Sequence, residues 1–366
     1  MDFSLSPEQD AVAELADRIF TDRLTAERFK EVDAATPRLD RELWIELAKA
    51  GLLSVSVPAV DGGGGEAFLA TALLLEQAGR HAAPVPLLAA TVLGALPIAR
   101  FGTADQRATM LPALGDGDLI VTSALVEAGS DALHPSTVAV ADGASWRVRG
   151  AKLCVPAGAV ADRFLVSAST PDGVGVFVVV ADAPGVSVTP LITTTRDPEA
   201  NVDFVGAVGE RLGRDGEVLT WVTLHATAAM CAVMAGVCKR VVTMTADYTK
   251  TREQFDRPIA SFQAVAQRAA DAYIDAEAVQ LTARQAAWRL SEGLPAAEEV
   301  AIAKFWAADG GQRVVHAAAH LHGGVGVDRD YPLHRFFLLT RQIELTLGGA
   351  NESLRRLGRI LAAEPV

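Results

Sequence analysis

Apolar residues in this chain repeat with two different periods, and the switch between them limits the possible folds more than any other feature. From Asp118 to about Val218 they fall in short β-rich runs: Leu119–Ala124, Thr137–Ala141, Trp146–Val148, Phe164–Ser167, Gly175–Val180, Val186–Pro190 and Val202–Val208. Turn formers separate the runs, among them Asp142-Gly143, Pro171-Asp172-Gly173 and Ala183-Pro184-Gly185. Several short strands with turn signals between them predict an all-β sandwich or barrel.

The flanks repeat with helical spacing. Ala11, Leu15, Ile19 and Phe20 lie on one helical face, as do Leu43, Leu47 and neighbouring Ile45 and Leu52, and then residues 68–78. Pro37, Pro58 and the Gly62–Gly65 run interrupt them. The glycine run reads as a flexible loop between helices, since no Gly-Lys-Ser/Thr follows it as in a phosphate loop. Past Glu217, one helix is expected over about 221–248. A second starts at an N-cap Ser261 and carries Phe262, Val265, Ala269, Ala272, Ala276, Val279, Ala283, Ala287 and Leu290. A third runs from Ala296 to about His320 and stops at Gly323-Gly324. None can bury its stripe alone, so they imply a bundle. The expected organisation is an N-terminal all-α domain (1-117), a middle β domain (118-217) and a C-terminal helical bundle (218-366).

With 366 residues, half of them hydrophobic, the chain can build several cores. The 45 acidic against 33 basic residues leave a net charge of −12, which argues against bulk binding to nucleic acid or an anionic membrane. Cys154, Cys231 and Cys238 show no metal-ligand spacing, so a reducing cytoplasm is expected and neither zinc nor a disulfide framework is. The opening Met1-Asp2-Phe3-Ser4-Leu5 lacks the order of a signal peptide. No uncharged apolar run is expected to approach the roughly 20 residues of a membrane span.

Four segments carry candidate chemistry. Phe101-Gly102-Thr103-Ala104-Asp105-Gln106-Arg107 reads by itself as a helix-ending loop. Glu127-Ala128-Gly129-Ser130-Asp131 contains a turn whose amides could meet an acceptor. Arg252-Glu253-Gln254-Phe255-Asp256-Arg257-Pro258 puts a fork-shaped cation beside a flat ring, a pair suited to an ADP-like group. Its plain alternative is a surface ion pair of Arg252 with Asp256 or Glu253. His320-Leu321-His322-Gly323-Gly324-Val325-Gly326 ends a helix on glycines that let backbone approach a ligand.

In their order and spacing these segments resemble the acyl-CoA dehydrogenase family over nearly the whole chain. The third is similar to its Arg-x-x-Phe-Gly signature, with Asp256 in place of glycine. The fourth is similar to Gln-x-x-Gly-Gly-x-Gly, with His320 in the glutamine position. The resemblance implies the α+β fold of that family, with a middle β-barrel or sandwich and a C-terminal four-helix bundle. It implies FAD as cofactor, its ADP end gripped by a neighbouring subunit. By motif position Arg252, Phe255, Phe262, Gln263, His320, Gly323 and Gly324 match the gripping set, and Asn351 and Glu352 fall in a stretch that also lines the cofactor.

The family's other residues are missing. Where it has Trp-Ile-Thr against the flavin ring, this chain has Cys154-Val155-Pro156, and Val126 replaces a threonine. The family draws its catalytic base from one of two positions, filled here by Gly348 and by Ala226 or Thr227. A general base is worth about 10²–10⁴-fold, so the isolated chain is expected to be nearly inert. The expectation is a non-catalytic subunit of a heterotetrameric acyl-CoA dehydrogenase, similar to those that actinobacteria use on CoA thioesters of steroid side chains. A homologous partner would supply the catalytic glutamate and hold the acyl-CoA, and an electron-transfer flavoprotein or similar acceptor would take the electrons. The alternatives are a homotetramer with a displaced base (Glu344 or Glu352) and a flavin-free scaffold.

Overall fold

The computed structural model of the chain describes residues 4–213 and 216–363. Met1, Asp2 and Phe3, the head of the segment read for a leader, lie outside the described residues. Helices α1 (Pro7–Arg23), α2 (Ala26–Ala34), α3 (Arg41–Lys49), α4 (Phe68–His81), α5 (Leu87–Ala90), α6 (Leu96–Phe101) and α7 (Ala104–Gly115) come first. One π turn, Thr91–Ala95, joins α5 to α6. Strands follow: β1 (Val121–Ala124), β2 (Val138–Asp142), β3 (Ser145–Val155), β4 (Arg163–Thr170), β5 (Gly173–Val180), β6 (Val186–Pro190) and β7 (Ala200–Leu212). Then come α8 (Glu217–Thr251), the hairpin β8 (Glu253–Gln254) and β9 (Arg257–Pro258), α9 (Gln263–Ser291), α10 (Ala297–Phe305), α11 (Gly311–His322), α12 (Leu333–Leu345) and α13 (Ala350–Ala363).

The described residues group into two compact units. The first contains residues 21–71 and 84–226, and its centre is the β region. Strand order is β1-β4-β2-β3-β7-β5, and β5 pairs back to β4, so the ring of pairings closes into a barrel. Only Val138↔Ser169 joins β2 to β4. Alternation places Phe164, Val166 and Ala168 of β4, Phe177 and Val179 of β5, and Val202 and Phe204 of β7 in one buried cluster. Phe164 and Phe204 meet edge to face with centroids 6.2 Å apart. The Gly62–Gly65 run is packed rather than loose. The amides of Gly63, Gly64 and Gly65 donate to Pro58, Ser54 and Val57. A Cβ at Gly63 would lie 2.2 Å from the Val57 carbonyl oxygen.

The second unit, residues 4–20, 72–83 and 227–363, is helical apart from the β8–β9 hairpin. Two glycines let α4 and α8 touch backbone to backbone. A Cβ on Gly79 would lie 2.0 Å from the Val233 carbonyl oxygen, and one on Gly236 would lie 1.8 Å from that of Glu76. Glu76, 3 % exposed, is held by Gln280 at 2.8 Å and by Arg284 at 3.1 Å from α9.

Two further sequence expectations need correction. Ser261 does not cap α9: its hydroxyl donates to the Pro258 carbonyl at 2.7 Å inside a 3-10 turn, and Phe262 takes the cap position. Residues 218–238 carry no Asp, Glu, Lys or Arg, so the chain does contain an apolar run of membrane length. The helix holding it, α8, passes the length and composition test, but 83 % of the apolar window is buried inside the protein, as in a core helix.

Candidate functional site

In the helical unit, α8 ends at Thr251 and the chain turns through the β8–β9 hairpin. Its two central residues, Phe255 and Asp256, both lie in the left-handed region at φ 55° and 61°. That geometry explains the glycine usual at position 256, and Asp tolerates it better than most side chains. Ile259 N–H donates to the Arg252 carbonyl at 2.8 Å and closes the turn. The turn throws Phe255 outward, 86 % exposed, with Phe262 edge-on at 6.0 Å and Arg257 stacked 4.1 Å over Phe262. Arg252 is exposed, and its guanidinium has no partner among the described residues. The surface ion pair with Asp256 or Glu253 is therefore not formed. Gln263 is exposed at the first turn of α9.

At the end of α11, His320 is exposed and its carbonyl accepts the Gly323 amide. Gly323 adopts φ 61° and ψ −138°. A Cβ on Gly323 or Gly324 would meet nothing within 4 Å, so the turn faces open space. Asn351 is exposed and Glu352 half-buried in the first turn of α13, where Arg359 holds the Glu352 carboxylate at 2.8 Å. No hydrogen bond or ion pair joins Asn351 or Glu352 to the Arg252 or Gly323 segments among the described residues. A free guanidinium, an exposed ring and an open glycine turn fit the anionic, aromatic ADP end of FAD.

The contacts of two rings beside this set were not expected from the sequence. Tyr248 stacks on His322 with centroids 4.4 Å apart and 22° between planes, and Tyr331 lies 5.2 Å from His322. Their sequence separation hides the contact, and a helix-end histidine beside glycines gave no signal of it.

In the barrel unit, the segment expected against the flavin ring is built around a buried ion pair. Glu127 accepts from Lys152 Nζ at 2.5 Å, from the Ser136 amide at 2.6 Å and hydroxyl, and from the Thr137 amide at 3.1 Å. Lys152, fully buried, also donates to Ser167 Oγ at 2.9 Å. Burial alone would raise the Glu127 pKa, but the bonds from Lys152, Ser136 and Thr137 outweigh it and hold the carboxyl at about 2. Burial pushes the Lys152 ammonium down to about 8 against the pull of Glu127. Ser130 turns inward to Glu127 at 3.2 Å. Cys154 sits in a bulge of β3 at φ 48°, and its amide donates to Asn201 Oδ1 at 3.1 Å. Neither it nor Pro156 offers an aromatic cover or a hydroxyl, so these residues do not fit a flavin ring.

Both positions expected for the base lack a carboxylate. Ala226 and Thr227 are each 1 % exposed in α8. Gly348 has φ 102°, and a Cβ there would lie 3.1 Å from Glu352 Cγ. Of the possible rescuers, Glu344 is ion-paired with Arg341 and Glu352 with Arg359. His225, next to Ala226, commits Nδ1 to the Trp221 carbonyl at 2.9 Å and stacks on Trp221 at 3.6 Å. Burial lowers its pKa to about 4.

Family models match three parts of the chain: acyl-CoA dehydrogenase N-terminal domain over residues 6–118, middle domain over 126–201 and C-terminal domain over 215–360. The acyl-CoA dehydrogenase FadE27 of Mycobacterium tuberculosis (strain ATCC 25618 / H37Rv) is 42% identical over 376 residues, covering 100% of both chains. A chain of the ChsE4-ChsE5 complex from Mycobacterium tuberculosis is 43% identical with a TM-score of 0.96, again covering 100% of both. A chain of the Tcur3481-Tcur3483 steroid ACAD, solved as a variant, is 45% identical with a TM-score of 0.93, covering 97% of this chain and 98% of that one.

Proposed function

The chain belongs to the acyl-CoA dehydrogenase family, and from that premise we propose that it is the non-catalytic subunit of a heteromeric enzyme that dehydrogenates a CoA thioester, with a steroid side chain as the acyl group. The observation that carries the reading is the absence of a carboxylate at 348, 226 and 227 beside a free Arg252. Bound FAD would accept the hydride leaving the β carbon of the thioester. This chain's part is binding. Arg252 meets the pyrophosphate, Phe255 and Phe262 flank the nucleotide, and Gln263, His320, Gly323, Gly324, Asn351 and Glu352 complete the wall. No side chain at its own base positions can take the α proton, so a homologous partner supplies that carboxylate and the flavin cradle. Likeness to chains of a steroid ACAD and of a two-protein complex supports the substrate class and the heteromer.

The division at 1-117, 118-217 and 218-366 and the electron-transfer flavoprotein as acceptor belong to the same proposal. So does a reducing cytoplasm, which the free thiols Cys154, Cys231 and Cys238 fit. The test is expression alone against co-expression with a homologous chain, followed by dye reduction with a steroid-side-chain CoA thioester. Turnover only in the co-expressed complex is expected. Turnover by the lone chain at ordinary enzymatic rates would overturn the proposal. In that event Glu344→Gln and Glu352→Gln, assayed separately, would identify a displaced base.

A further inference from the structure

The Arg252 segment and the Gly323-Gly324 turn come from helix ends more than seventy residues apart. One is a strained two-residue hairpin. The other begins with a glycine at φ 61°, ψ −138°, a conformation that residues with a side chain rarely adopt. Three rings join them. Tyr248 lies one helical turn before Arg252, whose amide donates to the Tyr248 carbonyl at 2.8 Å. Its ring stacks on His322, and its hydroxyl donates to the His322 carbonyl at 3.3 Å, at the peptide that enters the glycine turn.

The His322 ring is fixed from both nitrogens. Nδ1 lies 2.8 Å from the Ala318 carbonyl, which can only accept, so Nδ1 carries the hydrogen. Nε2 then holds a lone pair and accepts from the Tyr331 hydroxyl at 3.1 Å. Burial keeps His322 neutral and Tyr331 protonated, as this pattern requires. His322 is 3 % exposed, while Gly323 and Gly324 beside it are open.

We propose that His322 is a positioning residue for the ADP end of the flavin: bridged to Tyr248 and Tyr331, it locks the Gly323-Gly324 turn to the helix end that presents Arg252. The inference rests on the reading of Arg252 and Gly324 as the ADP grip. His322 itself touches no ligand; it places the Arg252 cation and the open Gly324 backbone so that they can meet one pyrophosphate together.

The test uses the complex with the homologous partner, stripped of flavin and titrated with FAD by flavin fluorescence. His322→Phe keeps a flat ring on Tyr248 and removes both nitrogen contacts. Tyr331→Phe removes only the hydroxyl that holds Nε2. Arg252→Ala serves as the control for the grip. FAD affinity is expected to fall about tenfold or more in His322→Phe and severalfold in Tyr331→Phe, one or two hydrogen bonds' worth. The melting temperature of the flavin-free complex should fall only by the few degrees those bonds are worth, far less than affinity falls, and the KM for thioester should stay near the parent value. Wild-type affinity in His322→Phe, with binding lost in Arg252→Ala, would overturn the positioning role alone. Wild-type affinity in both would overturn the grip itself. A melting temperature that falls in step with affinity would also overturn the inference, by making the role structural. Should His322→Phe fail to assemble, Tyr331→Phe decides: unchanged affinity there counts against the lock.

Discussion

The Glu352 side chain packs over Gly348, its Cγ 3.1 Å from where a β-carbon at 348 would stand. Gly348 also has φ 102°, which a side chain rarely adopts. The position proposed for the base is therefore empty in sequence and shaped for emptiness in structure. Gly348→Glu is expected to leave the isolated chain at background turnover, although a placed base is worth about 10²–10⁴-fold. It should also cost about 1–3 kcal/mol of stability in urea melts. Thioester oxidation restored by this single change would show that the turn adapts.

Arg252→Ala separates binding from folding. The guanidinium has no partner among the described residues, so the apo chain should melt within about 0.5 kcal/mol of the parent. FAD binding by the assembled complex should weaken by about 30-fold or more. A flavin titration of the complex beside a melt of the lone chain reads both numbers.

The Glu127–Lys152 network predicts an acid limb of stability. The folded Glu127 carboxyl sits at about 2, below its ordinary value near 4.3. Its contribution is thus fully present above about pH 4–5 and lost as pH falls towards 2. The size is about 2–3 kcal/mol. Glu127→Gln should flatten that limb in pH-dependent melts. Because it also leaves the Lys152 ammonium buried without a countercharge, it should destabilise the protein by about 3–5 kcal/mol at neutral pH.

Local order was legible because its causes are local. The Phe164–Ser167 run announces a strand, and β4 holds it with both faces buried. The Thr103–Gln106 capping box that starts α7, by contrast, lay hidden in a segment that reads as a helix-ending loop. The choice between barrel and sandwich was not legible, since it rests on pairings such as Val138↔Ser169 and Arg163↔Val180 that no local pattern encodes. Ser261 failed as a cap because the hairpin before it claims its hydroxyl. The segments proposed to grip the cofactor were readable as motifs. The rings that join them were not, because Tyr248 and His322 meet only when two helix ends do.

The α4–α8 crossing tolerates no side chain. Gly236→Ala would drive a methyl to 1.8 Å from the Glu76 carbonyl oxygen, backbone that cannot swing away. A loss of at least about 3 kcal/mol is expected, seen as an early urea midpoint or as insoluble protein. Gly358→Ala, with open space at its Cβ, is the matched control and should be nearly neutral.

Flavin stoichiometry tests the central claim most directly. The complex of this chain with its homologous partner, quantified by flavin absorbance after heat release, should hold one FAD for each pair of unlike chains, and the lone chain should hold none. One FAD for every chain, or a yellow lone protein, would contradict the account.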